Sequence, residues 1–481
     1  MKNPGSILLI SCYELGHQPL GVASPLGFLR EAGYHPAALD LSVEPLDSEK
    51  IRNARLIGIS VPMHTALRLG IRAASKIRNT NPTCHICFYG LYASLNADYL
   101  LNCGADSVIG GEYEAALLNL IGSLADGEDR EIEGISRRGD IQAPALRRLS
   151  FSIPDRRLLP PLHRYARLEI DGASHLVGYT ETSRGCLHRC RHCPIPPVYQ
   201  GRFFVIPKEV VLEDIRRQVA AGAKHITFGD PDFLNGPGHS LAVVHAMHEE
   251  FPDLTFDITT KIEHILKYRL QFNALRRLGC LFTVSAVESL SDVVLTYLDK
   301  GHTRADVLTA LAILRKERIA LRPSLVPFTP WSTLEDYQDL LDFVESEILV
   351  DSIDPVQYTI RLLIPPGSLL LSLPELKPHL GPLIQESFSY RWTHPDLRMD
   401  RLWREVTEAV ARAARLSQDP YQTFCRIRQR VDSVAGRQTA GTFHRPDPSR
   451  SRPPRLTESW FCCAEPTQEQ IASLDKIETR I

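Results

Sequence analysis

No run in these 481 residues approaches the ~20 consecutive apolar residues of a membrane-spanning helix. The opening MKNPGSILLISCYE carries one short apolar run, without the longer stretch and cleavage site of a secretory signal. Excess charge of either sign is also missing. Fifty-five basic residues face 57 acidic ones, for a net charge of −2. No global basic field is available for duplex nucleic acid, so neither nucleic acid nor membrane is an expected partner. The 11 cysteines are scattered, not framed like a small disulfide-rich domain, and the expected compartment is the reducing cytoplasm.

What is present is concentrated in TSRGCLHRCRHCPIPP, where Cys186, Cys190 and Cys193 are spaced C-x3-C-x2-C with no fourth cysteine nearby. Clustered thiolates select iron–sulfur centres or zinc. Three thiolates suit a [4Fe–4S] cubane with one open iron. They also suit a zinc knuckle with His188 or His192 as fourth ligand. The run follows a strand-like LVGYTET (176–182). Pro194, Pro196 and Pro197 predict an irregular segment after it, with a helix only from about Glu209.

This spacing resembles the signature of the radical S-adenosylmethionine (SAM) superfamily. The resemblance implies that the free iron chelates SAM and that reduction splits a sulfur–carbon bond. His192 stands where the superfamily usually places an aromatic residue against adenine.

Around this core the chain reads as several units. Residues 1–140 alternate strand signals (SILLISC, HPAALDLS, ARLIGISVP, HICFYG, DSVIGG) with helical ones, which predicts a parallel sheet covered on both faces. The unit resembles the Rossmann-like cobalamin-binding domain that precedes many radical SAM domains, and GGEYE (110–114) matches its usual ending. The cobalt-ligating D-x-H-x-x-G motif is absent; His17 reads as a polar loop residue, and cobalamin is an open possibility. Residues 141–175 read as a linker wrapping the domain junction. Residues 176–375 give six strand signals, ending with DPVQYTIRLLI, and imply a partial (β/α)6 TIM-like barrel with its chemistry at the strand C-terminal ends. Residues 376–435 are helical, with His394 and Cys425 in structural roles.

At the strand ends, FGDPDF (228–233) makes Gly229 and Asp230 candidates for the SAM amino group, with a simple turn as the rival reading. The stretch ESLSDVVLTYLDKGHT (288–303) resembles one found in many cobalamin-type radical SAM proteins. It implies a SAM or ribose contact for Glu288, assisted by Ser285. Arg322 and Lys261 read as ordinary salt-bridge partners.

Residues 436–458 are rich in arginine, proline and serine and read as a flexible tether. Cys462 and Cys463 follow in CCAEP, ahead of a short helix opened by a Thr467–Gln470 capping box. A helix N-terminus near the thiols favours the reactive thiolate. This ending resembles the CUAEP/CCAEP-tail radical SAM (seleno)proteins, a group that includes enzymes of arsinothricin biosynthesis. The resemblance implies a [4Fe–4S] cluster, SAM, and an electron donor such as flavodoxin or ferredoxin. It also implies Cys462 and Cys463 as the catalytic pair, and transfer of a 3-amino-3-carboxypropyl group to arsenite. The rival readings are a cobalamin-dependent methyltransferase and a non-enzymatic zinc- or arsenic-binding protein.

Overall fold

The computed structural model describes residues 1–128, 130–436, 450, 452–458, 466, 470 and 471, and the backbone of 477 and 478. Five parallel strands form the N-terminal sheet, in the spatial order Ala37–Asp40, Ile7–Ser11, Leu56–Ser60, His85–Tyr89, Ser107–Ile109. Ile135–Ser136 adds an antiparallel edge. The apolar runs serve both faces of the sheet. Leu8, Ile10, Ile57 and Ile59 enter one core; Ile7, Leu9 and Leu56, the alternate positions, enter the other.

The second sheet curls into a half-barrel. Ala173–Thr180, His225–Phe228, Thr255–Thr259, Cys280–Glu288 and Ala320–Leu325 run parallel. Ile226, Phe228, Phe256 and Ile258 pack outward on Val211, Ile215, Val243 and Met247 of the covering helices. The alternate positions are buried and polar. Asp257 accepts from Thr227 Oγ1 at 2.7 Å and lies 2.9 Å from His225 Nε2.

Several expectations need correction. The sixth strand is a 3-10 turn, Pro355–Thr359, that leaves one bridge, Phe328 to Arg361. Pro355 has no N–H for a ladder, and the Gln357 side chain takes the Leu325 N–H at 2.9 Å in place of backbone. The linker gives up its last residues to the half-barrel, where Arg167–Ile170 pairs antiparallel with Ala173–Thr180. Asp171 and Gly172 turn that hairpin with positive φ, the conformation Asp-Gly favours. The segment after the cysteines is not irregular: Ile195–Tyr199 is a helix, with its prolines in the first turn, where an N–H is not needed. Finally, the end of the expected tether is docked. Arg455–Leu456 adds a strand against Arg167–Ile170, and Arg450 pairs with Asp351 at 2.6 Å and Asp419 at 3.0 Å.

The helices Leu397–Arg415 and Pro420–Val434 pack on the half-barrel through Met399, Leu402, Val406, Phe424, Ile427 and Val431, so the helical reading of 376–435 holds only from Leu397 onward. Ahead of them lies a short hairpin, Leu380–Ile384 with Ser389–Trp392. His394 is structural, its Nε2 2.7 Å from the Ser332 carbonyl, and Cys425 is buried. Among the described residues no helix is long and apolar enough to cross a membrane.

Candidate active site

The cysteine loop hangs between the first parallel strand of the half-barrel and its first long helix, Lys208–Ala220. A two-stranded ribbon, Ser183–Gly185 against Phe203–Val205, closes its base. Asn235 holds its start, with Oδ1 3.3 Å from Leu187 N and 3.9 Å from Cys186 Sγ. Its far side is fixed by Arg191, whose N–H donates to Leu298 O at 2.9 Å and whose Nη1 donates to Tyr297 O at 3.1 Å. An arginine at these last carbonyls of helix Asp292–Leu298 also suits the helix dipole. Cys186 and Cys190 are buried and Cys193 is partly exposed. Burial pushes the Cys186 and Cys193 thiols up, and each is raised further by the neighbouring cysteines. Thiols gathered in one place are a set that a cation stabilises as thiolates. Both histidines of the loop face carboxylates, His188 toward Asp232 and His192 toward Glu288.

Glu288 ends the longest strand with φ 64°, a left-handed conformation unusual for a residue with a side chain. Its Oε1 lies 3.2 Å from Lys300 Nζ and 3.3 Å from His192 Nε2. Burial pushes this carboxyl up, but Lys300 and His192 outweigh it and hold the pKa at about 2. Lys300 stays protonated: burial lowers its pKa, and Glu288 with the cysteines more than restores it. Glu288 Oε2 and His192 Nδ1 are buried without hydrogen-bond partners.

The remaining candidates occupy the same rim in other ways. The Asp230 carboxylate is taken up by the chain itself, accepting from Thr182 N at 2.8 Å, Thr182 Oγ1 at 2.7 Å and Ser183 Oγ at 2.7 Å. Gly229 is required by Tyr179, whose hydroxyl would lie 2.1 Å from an added Cβ. Ser285 Oγ donates to Thr260 O at 2.7 Å. These three shape the rim; of the five candidates for SAM contact, Glu288 and His192 carry the buried atoms without partners. Arg322 pairs with Asp354 at 2.9 Å, and Lys261 with Glu263 at 3.1 Å. His17 is buried and stacked on Tyr179, with ring centroids 4.4 Å apart. Cys462, Cys463 and Thr467 lie outside the described residues.

Two groups escaped the sequence reading. Lys300 stands in the K-G-H-T part of the 288–303 stretch and was legible there as a partner for Glu288. Arg184, two residues before Cys186, carried no signal; its role depends on the other domain.

Residues 180–344 match the radical SAM superfamily. This part of the chain is a radical SAM domain. Its cofactors are a [4Fe–4S] cluster and SAM, and the three thiols with the two unpartnered atoms beside them fit that pair. Among similar curated proteins, hopanoid C-3 methylase of Methylococcus capsulatus is 25% identical over 65% of this chain and 62% of its own length. The ribosomal protein uS12 methylthiotransferase RimO of Geotalea uraniireducens is 28% identical over 37% of this chain and 41% of its own. The chain thus spans about two-fifths to three-fifths of these relatives. Among solved structures, the cobalamin-dependent SAM radical enzyme OxsB, with aqua-cobalamin and SAM bound, aligns at TM-score 0.66 and 15% identity, covering 84% of this chain and 66% of that one. The radical SAM methyltransferase TsrM of Kitasatospora setae, with tryptophan and a SAM analogue bound, aligns at 0.59 and 17%, covering 71% of each. At these identities the likeness is one of fold: a radical SAM half-barrel behind a Rossmann-like domain.

Proposed function

We propose that this chain is a radical SAM enzyme that cleaves SAM reductively and transfers one of its carbon groups to an acceptor. The observation that carries this reading is the meeting of Cys186, Cys190 and Cys193 with Glu288 at the strand ends of a radical SAM domain, Glu288 ionised and one of its oxygens unpartnered. When bound, the [4Fe–4S] cluster supplies an open iron for SAM and the electron that breaks a sulfur–carbon bond. The chain's own part is positioning. Glu288 Oε2 offers an acceptor to the paired ribose hydroxyls, and Lys300 with His192 keeps it charged. His192, beside Glu288, is the residue to border the adenine. Asp230 locks Thr182 and Ser183 at the base of the loop. A flavodoxin- or ferredoxin-class donor is the reductant this chemistry needs.

For the acceptor we favour trivalent arsenic, receiving the 3-amino-3-carboxypropyl group to form the carbon–arsenic bond of hydroxyarsinothricin. The support is the CCAEP sequence: Cys462 and Cys463 are adjacent soft donors, and arsenite is thiophilic. The test is product analysis after incubating reconstituted protein with SAM, reductant and arsenite. Methylthioadenosine and an organoarsenical are expected; 5′-deoxyadenosine alone defeats this reaction.

A second reading, cobalamin-dependent methyl transfer to a small metabolite or peptide, is favoured by a different feature. A cavity of about 1970 Å³ opens at the C-terminal ends of Ile7–Ser11 and Ala37–Asp40, lined by Cys12, Tyr13 and Ser42 and closed by Arg361, Trp392 and Trp403. Parallel sheets bind ligands at such ends. Cobalt copurifying with the protein and S-adenosylhomocysteine among the products would support it over arsenic transfer.

A further inference from the structure

Three donor atoms from three neighbouring segments converge beside the cysteine loop. His188 lies in that loop, Asp232 follows the strand His225–Phe228, and His264 sits in helix Ile262–Lys267. Asp232 is fully buried and His264 is 5% exposed. Asp232 Oδ2 is 2.8 Å from His264 Nδ1 and 3.4 Å from His188 Nε2. All three donors fall within 4.8 Å of one another, and the imidazoles meet edge to face at 4.7 Å.

His188 Nε2, Asp232 Oδ2 and His264 Nδ1 are all buried, and no well-aligned hydrogen bond satisfies any of them beyond their close approach to one another. The other carboxylate oxygen is fully used. Oδ1 accepts from Thr260 Oγ1 at 2.8 Å and from Leu234 N at 3.1 Å, which clamps the group with Oδ2 facing the two rings. A buried polar atom without a well-aligned partner is costly, roughly 1–3 kcal/mol when wholly unpaired, and one ion shared by the three satisfies them together. The spacing suits a single small ion. Bonds of about 2.0–2.1 Å to one ion place adjacent ligand atoms about 2.9 Å apart at right angles and about 3.4 Å apart at the tetrahedral angle. The 2.8 and 3.4 Å separations match those two edges.

We propose that His188, Asp232 and His264 bind a divalent first-row transition ion of the Zn²⁺ or Fe²⁺ class, at a site distinct from the cysteine trio. Two imidazoles and one carboxylate suit such ions; Ca²⁺ and Mg²⁺ ask for more oxygen ligands. Three protein ligands leave a position for water or an anionic ligand. The surroundings supply the outer partner that a ligating histidine needs. Lys261 Nζ donates to His188 Nδ1 here, and Glu263 Oε2 lies 3.7 Å from the same nitrogen; ligation by Nε2 puts the proton on Nδ1, which turns that nitrogen from Lys261 toward Glu263. Lys261 Nζ, 3.1 Å from both His188 Nδ1 and Glu263 Oε2, then keeps its pairing with Glu263.

The test uses full-length, cluster-reconstituted protein titrated anaerobically with Co²⁺. One equivalent is expected to bind beyond the cluster iron, with visible d–d bands, no thiolate charge-transfer band and unchanged iron content. His264→Gln and Asp232→Asn each weaken it by more than about 100-fold. The triple variant Cys186→Ala/Cys190→Ala/Cys193→Ala loses the cluster and keeps the cobalt equivalent, which separates this site from failure of the radical SAM reading. Should Asp232→Asn fail to fold, His264→Gln, which leaves the clamped carboxylate in place, carries the test alone. No bound equivalent, a thiolate band only, or binding that survives His264→Gln overturns the proposal.

Discussion

Arg184 Nη1 lies 2.6 Å from Glu114 Oε1, joining the cysteine loop to the first turn of the helix Tyr113–Asp126 of the N-terminal domain. The same guanidinium reaches Glu181 at 2.5 Å and Ser24 Oγ at 3.1 Å, while Tyr199 donates to Glu112 at 2.8 Å. The two glutamates of GGEYE therefore dock one domain on the other at the cluster loop. Arg184→Ala leaves buried carboxylates without their cation, which costs about 3–5 kcal/mol. Equilibrium unfolding in denaturant checks this; a loss under 1 kcal/mol would mean that the junction is held elsewhere.

Glu288→Gln removes the partner of Lys300, which is 2% exposed. An uncompensated buried ammonium predicts a stability loss of about 3–5 kcal/mol, and SAM affinity should fall with it. Because the Glu288 pKa is held at about 2, the group is ionised at every working pH. SAM binding by equilibrium dialysis should accordingly show no carboxylate titration between pH 5 and 8.

Cysteine replacement separates ligands from bystanders. Cys186→Ala, Cys190→Ala and Cys193→Ala should each abolish the reconstituted iron and its visible absorbance. Cys12, Cys87 and Cys280 are buried in apolar cores, and their alanine variants should retain both. Iron retained by all three loop variants would refute the ligand assignment.

His17 gives a pH signature. Burial lowers its pKa to about 4, below an ordinary value of 6.5. The unfolded chain therefore takes up the proton first as pH falls. The stability from neutral His17 is present above about pH 6.5 and is lost as pH drops toward 4, by about 3 kcal/mol at the limit. His17→Phe keeps a ring over Tyr179 and should flatten that part of the stability–pH curve. An unchanged slope between pH 6.5 and 4 would place the titration on other groups.

Gly229→Ala drives a Cβ to 2.1 Å from the Tyr179 hydroxyl and 2.3 Å from its ring carbon. A loss of about 1–3 kcal/mol is expected, partly recovered by Tyr179→Phe, which removes the nearest atom. Full tolerance of Gly229→Ala by thermal unfolding would show that the strand end is free to move.

Much of this architecture could be read locally. Alternating apolar runs announced all five N-terminal parallel strands, and the C-x3-C-x2-C spacing placed the loop between strand and helix. Two local signals were present and passed over: Asp171–Gly172, a hairpin turn inside the supposed linker, and Lys300, twelve residues after Glu288. The sixth strand failed for the opposite reason. DPVQYTIRLLI has strand composition, but Pro355 and the Gln357 side chain turn its start into a 3-10 segment.

Sequence alone determined which atoms are available: three thiols at fixed spacing, a carboxylate at a strand end, paired cysteines in the tail. Such features lie within a few residues of one another, so local chemistry suffices to find them. Tertiary structure decided what those atoms do. It turned Asp230 inward onto Thr182 and Ser183, left Glu288 Oε2 free, and brought His188, Asp232 and His264 together across 76 residues of chain. Contacts between strand ends are set by the curl of the sheet and by packing on both its faces, and no short stretch of sequence carries that information.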